Sequence, residues 1–318
     1  MKNVLVTGGA GFIGSNFIRL LTAKEPGLII YNLDALTYAG NLKNLDDTTR
    51  FIHGDITDMD LVHKIIVKYR IDTIVHFAAE SHVERSIYDP EIFLKSNVIG
   101  TFVLLEVARI FNLRFHHVST DEVYGTLGNG EEGWTERAAY NPRSPYSASK
   151  ASSDHFVRSY GNTYQLRYTI TCGSNNYGPY QYPEKLIPLT IKNALDGNLL
   201  LIHGDGLQVR DWIHVDDHNE AVYLVLKSGE IGETYNVGGG NHWTVVDIVK
   251  EICVVLDELR PRFAPHNQAI RHVEDRTGQD RRYEMNTTKI KDLGWIPKRE
   301  IKSSLRDTVI WYVERMGS

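Results

Sequence analysis

The chain has 318 residues and a formal net charge of -5, and it contains no long block of basic side chains, which argues against a nucleic-acid-binding surface. No apolar run approaches the length of a membrane span and no signal peptide is recognisable, so we expect a cytoplasmic protein without a membrane partner. Cys172 and Cys253 lie far apart, and no spacing of cysteine or histidine indicates a disulfide framework or a metal site.

Short β-branched segments alternate with amphipathic segments through the first half of the chain. The predicted strands cover residues 3–7, 28–33, 50–55, 72–78 and 114–119, and helical periodicity follows residues 60–69 and 97–111. Alternation of this kind predicts right-handed βαβ units. We therefore expect an α/β fold with a Rossmann-type, doubly wound parallel sheet that is covered by helices on both faces.

The alternation ends after about residue 171. Residues 174–188 are rich in Asn, Gly, Pro and Tyr, which favours a loop lining a site, and a helix is predicted over residues 303–315. We assign residues 1–171 to a Rossmann domain and residues 172–318 mainly to a smaller α/β substrate domain. The strand-like segment 233–239 is expected to return to the first sheet, so the two domains are predicted to interleave.

A glycine-rich turn directly follows the first predicted strand. Gly9, Gly11 and Gly14 have the G-x-G-x-x-G spacing, with Gly8 in addition, and helical periodicity begins at residue 12. Such a turn lets a pyrophosphate approach the backbone at a helix N-terminus. Asp34 ends the second strand twenty residues after Gly14, where an acid accepts both ribose hydroxyls and repels a 2′-phosphate. No Arg or Lys follows within DALTYAG, so the sequence predicts NAD rather than NADP.

Tyr146 and Lys150 lie four residues apart in SPYSASKAS, on one face of a predicted helix. A lysine ammonium beside a tyrosine, with a positive nicotinamide ring nearby, is expected to lower the phenol pKa and to make the tyrosine a base. Tyr223 and Lys227 have the same spacing, but no glycine loop or polar partner accompanies them in sequence. We interpret that second pair as ordinary helix packing.

Two adjacent acids, Asp121 and Glu122, follow the fifth predicted strand in STDEVYG. In a regular strand they would point to opposite faces, and a solvated strand end is the usual interpretation of such a pair. Because the chain also carries Tyr146, Lys150 and the glycine turn, we favour a pair directed at one substrate. That arrangement requires the chain to leave strand geometry at Thr120, and the glycine-containing segment that follows would permit it.

The motifs TGGAGFIG, the acid after the second strand, YSASK and LGWIP together resemble the extended short-chain dehydrogenase/reductase family. Longer segments over nearly the whole chain are similar to the branch of 4,6-dehydratases that act on dTDP-glucose: DALTYAGNL, AAESHVERSI, STDEVYG, SNNYGPYQYPEKLIP, VRDWIHVDDH and DRTGQDRRY. The resemblance implies a hydro-lyase of deoxysugar biosynthesis with tightly bound NAD, which oxidises C4, eliminates water across C5–C6 and returns hydride to C6.

The resemblance also implies roles for individual residues. Glu122 would be the base at C5, Asp121 the acid at C6 and Tyr146 the base at the C4 hydroxyl, with Lys150 beside Tyr146 and Thr120 hydrogen-bonded near O4. The implied NAD-binding residues are Gly8, Gly11, Phe12, Ile13, Gly14, Asp34, Thr37, Asp55, Ile56, Phe77, Ala78, Ala79, Ser96, Tyr146, Lys150 and Asn176. The implied nucleotide-sugar-binding residues are Ser81, Thr120, Asn175, Glu184, Lys185, Leu186, Arg210, Asn236, Arg276 and Tyr312.

Two alternatives and an assembly state complete the expectations. A nucleotide-sugar 4-epimerase would use the same tyrosine and lysine but has no use for an acid and a base at C5 and C6. A catalytically silent NAD-binding scaffold has no reason to keep Thr120, Tyr146 and Lys150 together.

By analogy with the family we expect a homodimer in which the helices near 97–111 and 146–160 pack against a second copy through Phe102 and Phe156.

Overall fold

The computed structural model describes residues 1–46, 49–128, 130–275 and 280–316. In chain order its strands are β1 (Asn3–Thr7), β2 (Ile29–Asp34), β3 (Arg50–His53), β4 (Thr73–His76), β5 (Arg114–Thr120), β6 (Arg167–Gly173), β7 (Asn175–Tyr177), β8 (Leu200–His203), β9 (Val209–His214), β10 (Thr234–Val237), β11 (His242–Thr244) and β12 (Ile270–Val273). Its helices are α1 (Phe12–Lys24), α2 (Met59–Tyr69), α3 (Val83–Tyr88), α4 (Pro90–Phe93), α5 (Gly100–Ile110), α6 (Pro145–Tyr164), α7 (Leu186–Leu195), α8 (Val215–Ser228), α9 (Val245–Leu259), α10 (Thr288–Asp292) and α11 (Ile301–Met316).

Within the described ranges, seven strands form one sheet in the order β10-β6-β5-β4-β1-β2-β3, and each neighbouring pair is parallel. The strand order reverses between β1 and β4, which is the switch point of a doubly wound sheet. The expected Rossmann-type α/β architecture is therefore confirmed. Smaller sheets, β11-β9-β7 and β12-β8, lie in the second lobe of the molecule.

Side chains alternate between the two faces of the large sheet. Along β1, Leu5 packs into one core cluster, while Val4 and Val6 pack into another. The first cluster lies under α2, α5 and α6 and includes Ile65, Leu104 and Val157. The second lies under α1 and α8 and includes Phe17, Leu21, Val222 and Leu226. The sheet is thus buried on both faces, as a parallel sheet requires.

Caps determine where the helices over the sheet begin. The Asp58 carboxylate accepts a hydrogen bond from the backbone N–H of Leu61 at 2.9 Å, so α2 begins at Met59. At α6, the Ser144 hydroxyl accepts from the Ser147 N–H at 3.1 Å and the Ser147 hydroxyl accepts from the Ser144 N–H at 2.9 Å, with Pro145 as the first helical residue. This capping box sets the position of Tyr146 in the first turn of α6.

The chain returns to the large sheet after leaving it. β10 pairs in parallel with β6, and α8 packs against α1, although both elements follow residue 171. The second lobe contains α7, α9 and α11 around a separate apolar core that includes Ile191, Ile252, Leu256 and Leu305. β6 continues to Gly173 and so crosses the predicted boundary; the division into domains 1–171 and 172–318 stays a prediction.

Two segments differ from the sequence-based expectation. The first residues of the predicted helix over 97–111 belong to a π-helical segment, Leu94–Ile99, and α5 itself begins at Gly100. The predicted loop over residues 174–188 contains β7 and the first residues of α7. β7 forms because it pairs with β9, a contact between distant residues that local composition does not reveal.

None of the helices in the described ranges has both the length and the apolar character needed to cross a bilayer.

α2 offers a matched test of how much the core beneath it stabilises the fold. Val62 is fully buried and Val67 is 53% exposed on the same helix. Val62→Ala removes two buried methyl groups and leaves a cavity, so we expect it to lower the free energy of unfolding by about 2 kcal/mol. Val67→Ala is expected to change it by less than about 0.5 kcal/mol. Urea denaturation followed by circular dichroism measures both, and equal effects would contradict the assigned packing.

Candidate active site

The carboxyl ends of β1, β2, β4 and β5 open onto a cleft at the switch point of the sheet. Most residues that the family resemblance assigns to the cofactor line this cleft: Gly8, Gly11, Phe12, Ile13, Gly14, Asp34, Thr37, Asp55, Ile56, Phe77, Ala78, Ala79, Ser96, Tyr146 and Lys150. In open α/β sheets, ligands bind at this position because neighbouring loops separate in opposite directions there.

The glycines of the first turn are needed for close backbone approach. Gly8 has φ +73°, and a Cβ on it would lie 2.6 Å from the Cα of Ala78 at the end of β4. A Cβ on Gly14 would lie 2.4 Å from the carbonyl oxygen of Gly8, so α1 can approach the turn only without a side chain there. Gly11 is the N-cap of α1 and directs the helix N-terminus toward the cleft, as pyrophosphate binding requires.

Asp34 lies at the end of β2 with its carboxylate held by the backbone. Its two oxygens accept hydrogen bonds from the N–H of Ala10 at 2.9 Å and from the N–H of Leu36 at 2.8 Å. Burial raises the pKa of Asp34, and these two hydrogen bonds act against that rise. Each oxygen keeps a further lone pair for a ribose hydroxyl. Together with the glycine turn, this residue set fits a dinucleotide that lacks a 2′-phosphate.

Asn176 is not among the described residues that line the cleft. Its side-chain N–H donates to the carbonyl of Ser174 at 3.0 Å, and its Oδ1 is buried without a hydrogen-bond partner in the described structure. The direct cofactor contact that the resemblance implies for Asn176 therefore stays a prediction.

The backbone leaves strand geometry at Thr120, as predicted. Thr120 is extended, with φ -134° and ψ 151°, and Asp121–Tyr124 form a 3-10 turn. The Thr120 hydroxyl accepts from the N–H of Glu122 at 3.4 Å and donates to Asp121 Oδ1 at 3.2 Å. Gly125 closes the turn at φ +87°, where a Cβ would lie 2.4 Å from the carbonyl oxygen of Asn141. In a turn, the two acids do not have to point to opposite faces.

The surroundings raise the pKa of both acids. Burial raises the pKa of Asp121 well above its usual value, and the nearby Glu122 and Asp211 add to this effect, against Arg210. Burial also raises the pKa of Glu122, to about 7, where Lys185 and Arg210 oppose it. Glu122 can therefore give or take a proton near neutral pH, and the surroundings of Asp121 favour its protonated form. Buried carboxyls with raised pKa values are typical of acid–base catalysis.

Tyr146 is buried beside these acids and forms a hydrogen bond with the Thr120 hydroxyl. Burial raises the pKa of the phenol, the Glu122 carboxylate raises it further, and the Thr120 hydroxyl acts in the opposite direction. The Lys150 ammonium donates to the carbonyl of Val118 at 2.9 Å. The expectation that Lys150 and a nicotinamide ring together lower the pKa of Tyr146 concerns the protein with bound cofactor and stays a prediction.

The second tyrosine–lysine pair lies on α8, away from the cleft. The Tyr223 hydroxyl and the Lys227 ammonium both donate to Glu25 Oε1, at 2.7 and 2.6 Å. This contact joins the C-terminal half of α8 to the end of α1. The interpretation as helix packing is confirmed.

Several residues assigned to the substrate lie at or beside the cleft. Ser81, Glu184 and Lys185 line it, and the Lys185 ammonium donates to the carbonyl of Ser81 at 2.7 Å. The Arg210 guanidinium lies over the Tyr283 ring, 4.4 Å from its centroid, and its charge acts on both Asp121 and Glu122.

Other assigned substrate residues lie elsewhere. Asn175 in β7 and Leu186 at the start of α7 are not among the described residues of the cleft lining. Arg276 falls outside the described residues.

Asn236 and Tyr312 are both buried and hydrogen-bonded within the protein. Asn236 Oδ1 accepts from the Tyr124 hydroxyl at 2.8 Å, and its amide N–H donates to the carbonyl of Trp134 at 2.9 Å. The Tyr312 hydroxyl donates to the carbonyl of Gln181 at 2.6 Å. These bonds satisfy both side chains internally, and the substrate contacts that the resemblance implies for them stay predictions.

Some residues of the site were missed in the sequence. Glu80 and Tyr182 line the cleft, and the Tyr38 hydroxyl donates to Glu184 Oε1 at 2.8 Å. Glu80 directly precedes Ser81 in AAESHV, and its position next to an assigned substrate residue could have indicated that it lines the site. Asp154, discussed below, follows Lys150 at the same four-residue spacing that identified Tyr146 and Lys150.

The comparisons with known proteins agree with this site. The family described as GDP-mannose 4,6 dehydratase matches residues 5–308. The chain is 48% identical over 334 residues to the dTDP-glucose 4,6-dehydratase of Neisseria meningitidis serogroup B, covering 99% of this chain and 94% of that protein. The crystal structure of DesIV, a dTDP-glucose 4,6-dehydratase from Streptomyces venezuelae solved with bound NAD, superimposes with a TM-score of 0.92 at 46% identity, covering 99% and 98% of the two chains.

A UDP-glucose 4-epimerase from Thermotoga maritima, solved with UDP-glucose, also superimposes with a TM-score of 0.90, but at 31% identity, covering 99% of each chain. The fold alone therefore does not separate the two activities. The extent of the sequence matches shows that the chain belongs to the dTDP-glucose 4,6-dehydratase family, a branch of the extended short-chain dehydrogenases/reductases.

Proposed function

We propose that this chain binds NAD and converts dTDP-D-glucose into dTDP-4-keto-6-deoxy-D-glucose and water, as a hydro-lyase of deoxysugar biosynthesis. The observation that carries the proposal is the pair of buried acids, Asp121 and Glu122, which lie on one turn beside Tyr146 and both have raised pKa values. The names of the relatives and the bound NAD of DesIV support the same substrate and cofactor.

The acid pair favours dehydration over the alternative of 4-epimerisation. An epimerase oxidises and reduces at C4, which Tyr146 and Lys150 serve without further acids. Elimination across C5–C6 needs a base for the C5 hydrogen and an acid for the departing C6 hydroxyl. Asp121 and Glu122 lie on one turn, and burial raises the pKa of both toward the range in which carboxyl groups exchange protons near neutral pH, which suits those two tasks.

We infer that Tyr146 accepts the proton of the C4 hydroxyl, with the Thr120 hydroxyl nearby favouring the phenolate. When bound, NAD supplies the hydride acceptor for C4, the hydride donor for C6, and a positive charge beside Tyr146. Lys150 adds a second positive charge from within the protein. These charges would oppose the effect of burial and of Glu122, so that the phenol can lose its proton.

The C4 ketone makes the C5 hydrogen acidic. Glu122 takes that proton as a carboxylate, and Asp121, whose protonated form is favoured by burial, gives a proton to the C6 hydroxyl so that it leaves as water. Glu122 then returns its proton to C5. Tyr146 releases the proton taken from the C4 hydroxyl and Asp121 takes one up, which restores the starting protonation states. Arg210 and Lys185 carry positive charge next to these acids, and we propose that they also hold the substrate, together with Ser81, Thr120 and Glu184.

We further propose that the protein is a homodimer. The outer surface of α5, α6 and the segment before them exposes a group of large apolar side chains: Tyr88, Leu94, Ile99, Phe102, Ile110, Phe156 and Tyr164. An apolar patch of this kind typically marks a protein–protein contact. α5 and α6 pack against each other, so a second copy using the same surface would form a four-helix contact.

Asp34 is predicted to select NAD over NADP. Asp34→Ala removes charge-assisted hydrogen bonds worth about 1.5–3 kcal/mol, so NAD affinity should fall about 10- to 100-fold and the preference over NADP should narrow. Fluorescence titration of both cofactors measures the two affinities. Asp60→Ala, in the first turn of α2 outside the cleft lining, is the control and should change neither. Equal affinity of the unmodified protein for NAD and NADP would refute the assignment.

Glu122 is predicted to act at C5 and not at C4. In Glu122→Gln, exchange of the C5 hydrogen with solvent deuterium should slow about 10²- to 10⁴-fold, while reduction of NAD in a single turnover survives. Absorbance of reduced NAD and mass analysis of the sugar in deuterated buffer separate the two steps. Asp121→Asn is the complementary variant. The C5 hydrogen of the substrate should still exchange with solvent, whereas elimination of its C6 hydroxyl should slow.

The pH dependence provides a second readout of the same prediction. The base form of Glu122 is the ionised form, and its pKa is about 7. We therefore expect kcat/KM to be low at acidic pH and to rise with pH through about 7. Glu122→Gln should lack this acidic limb. If Glu122→Gln keeps the acidic limb of the pH profile and exchanges the C5 hydrogen at the wild-type rate, Glu122 is not the base and the role of the acid pair is structural.

The dimer prediction is tested with charge substitutions in the apolar surface. Phe102 is 36% exposed and Phe156 is 40% exposed, so Phe102→Glu and Phe156→Glu together should give a monomer in sedimentation velocity at micromolar concentration. Val254→Glu places the same charge on α9, at a side chain that is 54% exposed, and should leave the dimer intact. An unmodified protein that sediments as a monomer would contradict the prediction.

A further inference from the structure

A buried carboxylate lies directly behind the catalytic lysine. Asp154 follows Lys150 by one turn of α6 and is 0% exposed. Its Oδ2 accepts hydrogen bonds from the Ser119 and Tyr140 hydroxyls, both at 2.8 Å, and its Oδ1 lies 3.1 Å from His117 Nε2. Among the described residues that line the cleft, Lys150 is included and Asp154 is not. Asp154 therefore has no direct access to substrate or cofactor.

Lys150 itself is only 4% exposed, and burial of an ammonium group favours its neutral form. Burial lowers the pKa of Lys150, and the Asp154 charge acts in the opposite direction. Its ammonium donates to the carbonyl of Val118 and lies 3.4 Å from His117 Nε2. A carbonyl and an imidazole hold the group in place without supplying a negative charge.

The other titratable groups around Lys150 are neutral near pH 7. Burial lowers the pKa of His76 on β4 well below its usual value and lowers that of His117 on β5 to about 4. Burial raises the pKa of the Cys172 thiol on β6 to about 12. Tyr146, on α6 itself, has a raised pKa as well. Asp154 is thus the group in this set that supplies an anion.

Asp154 is held in its ionised form. Burial raises its pKa, but the contact with His117 and the charges of Lys150 and Arg158 outweigh that effect and lower the pKa on balance. Arg158, one turn further along α6, donates to the Tyr140 hydroxyl at 2.6 Å, and that hydroxyl donates to Asp154. Tyr146, Lys150, Asp154 and Arg158 therefore follow one another at four-residue intervals along one stripe of α6.

We propose that Asp154 is a positioning residue that keeps the Lys150 ammonium charged and fixed behind Tyr146. The proposal rests on the function proposed above in one respect, because it takes Lys150 to assist Tyr146 in the reaction. Without the carboxylate, the buried ammonium would face a carbonyl, neutral imidazoles and a thiol, and its neutral form would be favoured near pH 7. A neutral Lys150 no longer supports ionisation of the phenol.

The experiment replaces Asp154 by Asn in the NAD-loaded protein, which keeps the shape and removes the charge. Carbon-13 NMR of lysines labelled at the ε-carbon, with the Lys150 signal assigned from Lys150→Arg, follows the ionisation of Lys150. We expect its pKa to fall by about 1–3 pH units, the range for loss of a close opposite charge. The alkaline limb of the kcat–pH profile with dTDP-glucose should move down by the same amount, while KM at neutral pH stays unchanged.

Tyr140→Phe is the matched control. It removes a hydroxyl that donates to the same carboxylate oxygen but leaves the Asp154 charge, so the Lys150 titration and the alkaline limb should stay in place. An unshifted Lys150 signal in folded Asp154→Asn, or an equal shift in Tyr140→Phe, overturns the proposal in favour of a purely structural link between α6 and β5. If Asp154→Asn does not fold, the unmodified protein decides: a neutral Lys150 at pH 7 overturns the proposal, and an ammonium that persists to pH 9 despite burial supports it.

The NMR titration needs no turnover. A protein that fails to dehydrate dTDP-glucose refutes the proposed function, while the Lys150 signal still tests the role of Asp154.

Discussion

The parallel pairing of β5 between β4 and β6 is the constraint on which the site depends. It brings the carboxyl end of β5, with Thr120 and the turn that carries Asp121 and Glu122, to the same edge as the glycine turn after β1. α6 packs against β5, which places Tyr146 beside Thr120. The carboxyl ends of parallel strands all lie at one edge of the sheet. The glycine turn, the acid pair and Tyr146 therefore lie close together.

Burial has the largest effect on the charges of this site. It raises the pKa of Asp121, Glu122 and Tyr146 and lowers the pKa of Lys150. For the acid pair this effect is useful, because raised pKa values allow carboxyl groups to donate and accept protons closer to neutral pH. For Lys150 the same effect works against function, and the Asp154 carboxylate in the layer behind it provides compensation. The low dielectric that tunes the acids therefore makes a buried counter-charge necessary.

The raised pKa of Tyr146 has a consequence for how the chemistry is controlled. In the protein alone, burial and the Glu122 carboxylate disfavour the phenolate, and the Thr120 hydroxyl acts in the opposite direction. The positive charges of Lys150 and of an oxidised nicotinamide would both favour the phenolate when the cofactor is bound.

The amino-acid sequence was enough to predict the fold class, which the structure confirms, and it also predicts the NAD-binding and catalytic residues. These predictions use local signals: strand–helix alternation, glycine spacing, Asp34, and the intervals among Tyr146, Lys150 and the acid pair. Interactions between distant residues became visible only in the folded protein. The internal hydrogen bonds of Asn236 and Tyr312, the raised pKa of Tyr146 and the Asp154 carboxylate behind Lys150 arise from contacts between elements far apart in the chain. Burial and partner choice follow from packing, and spacing along a chain does not encode them.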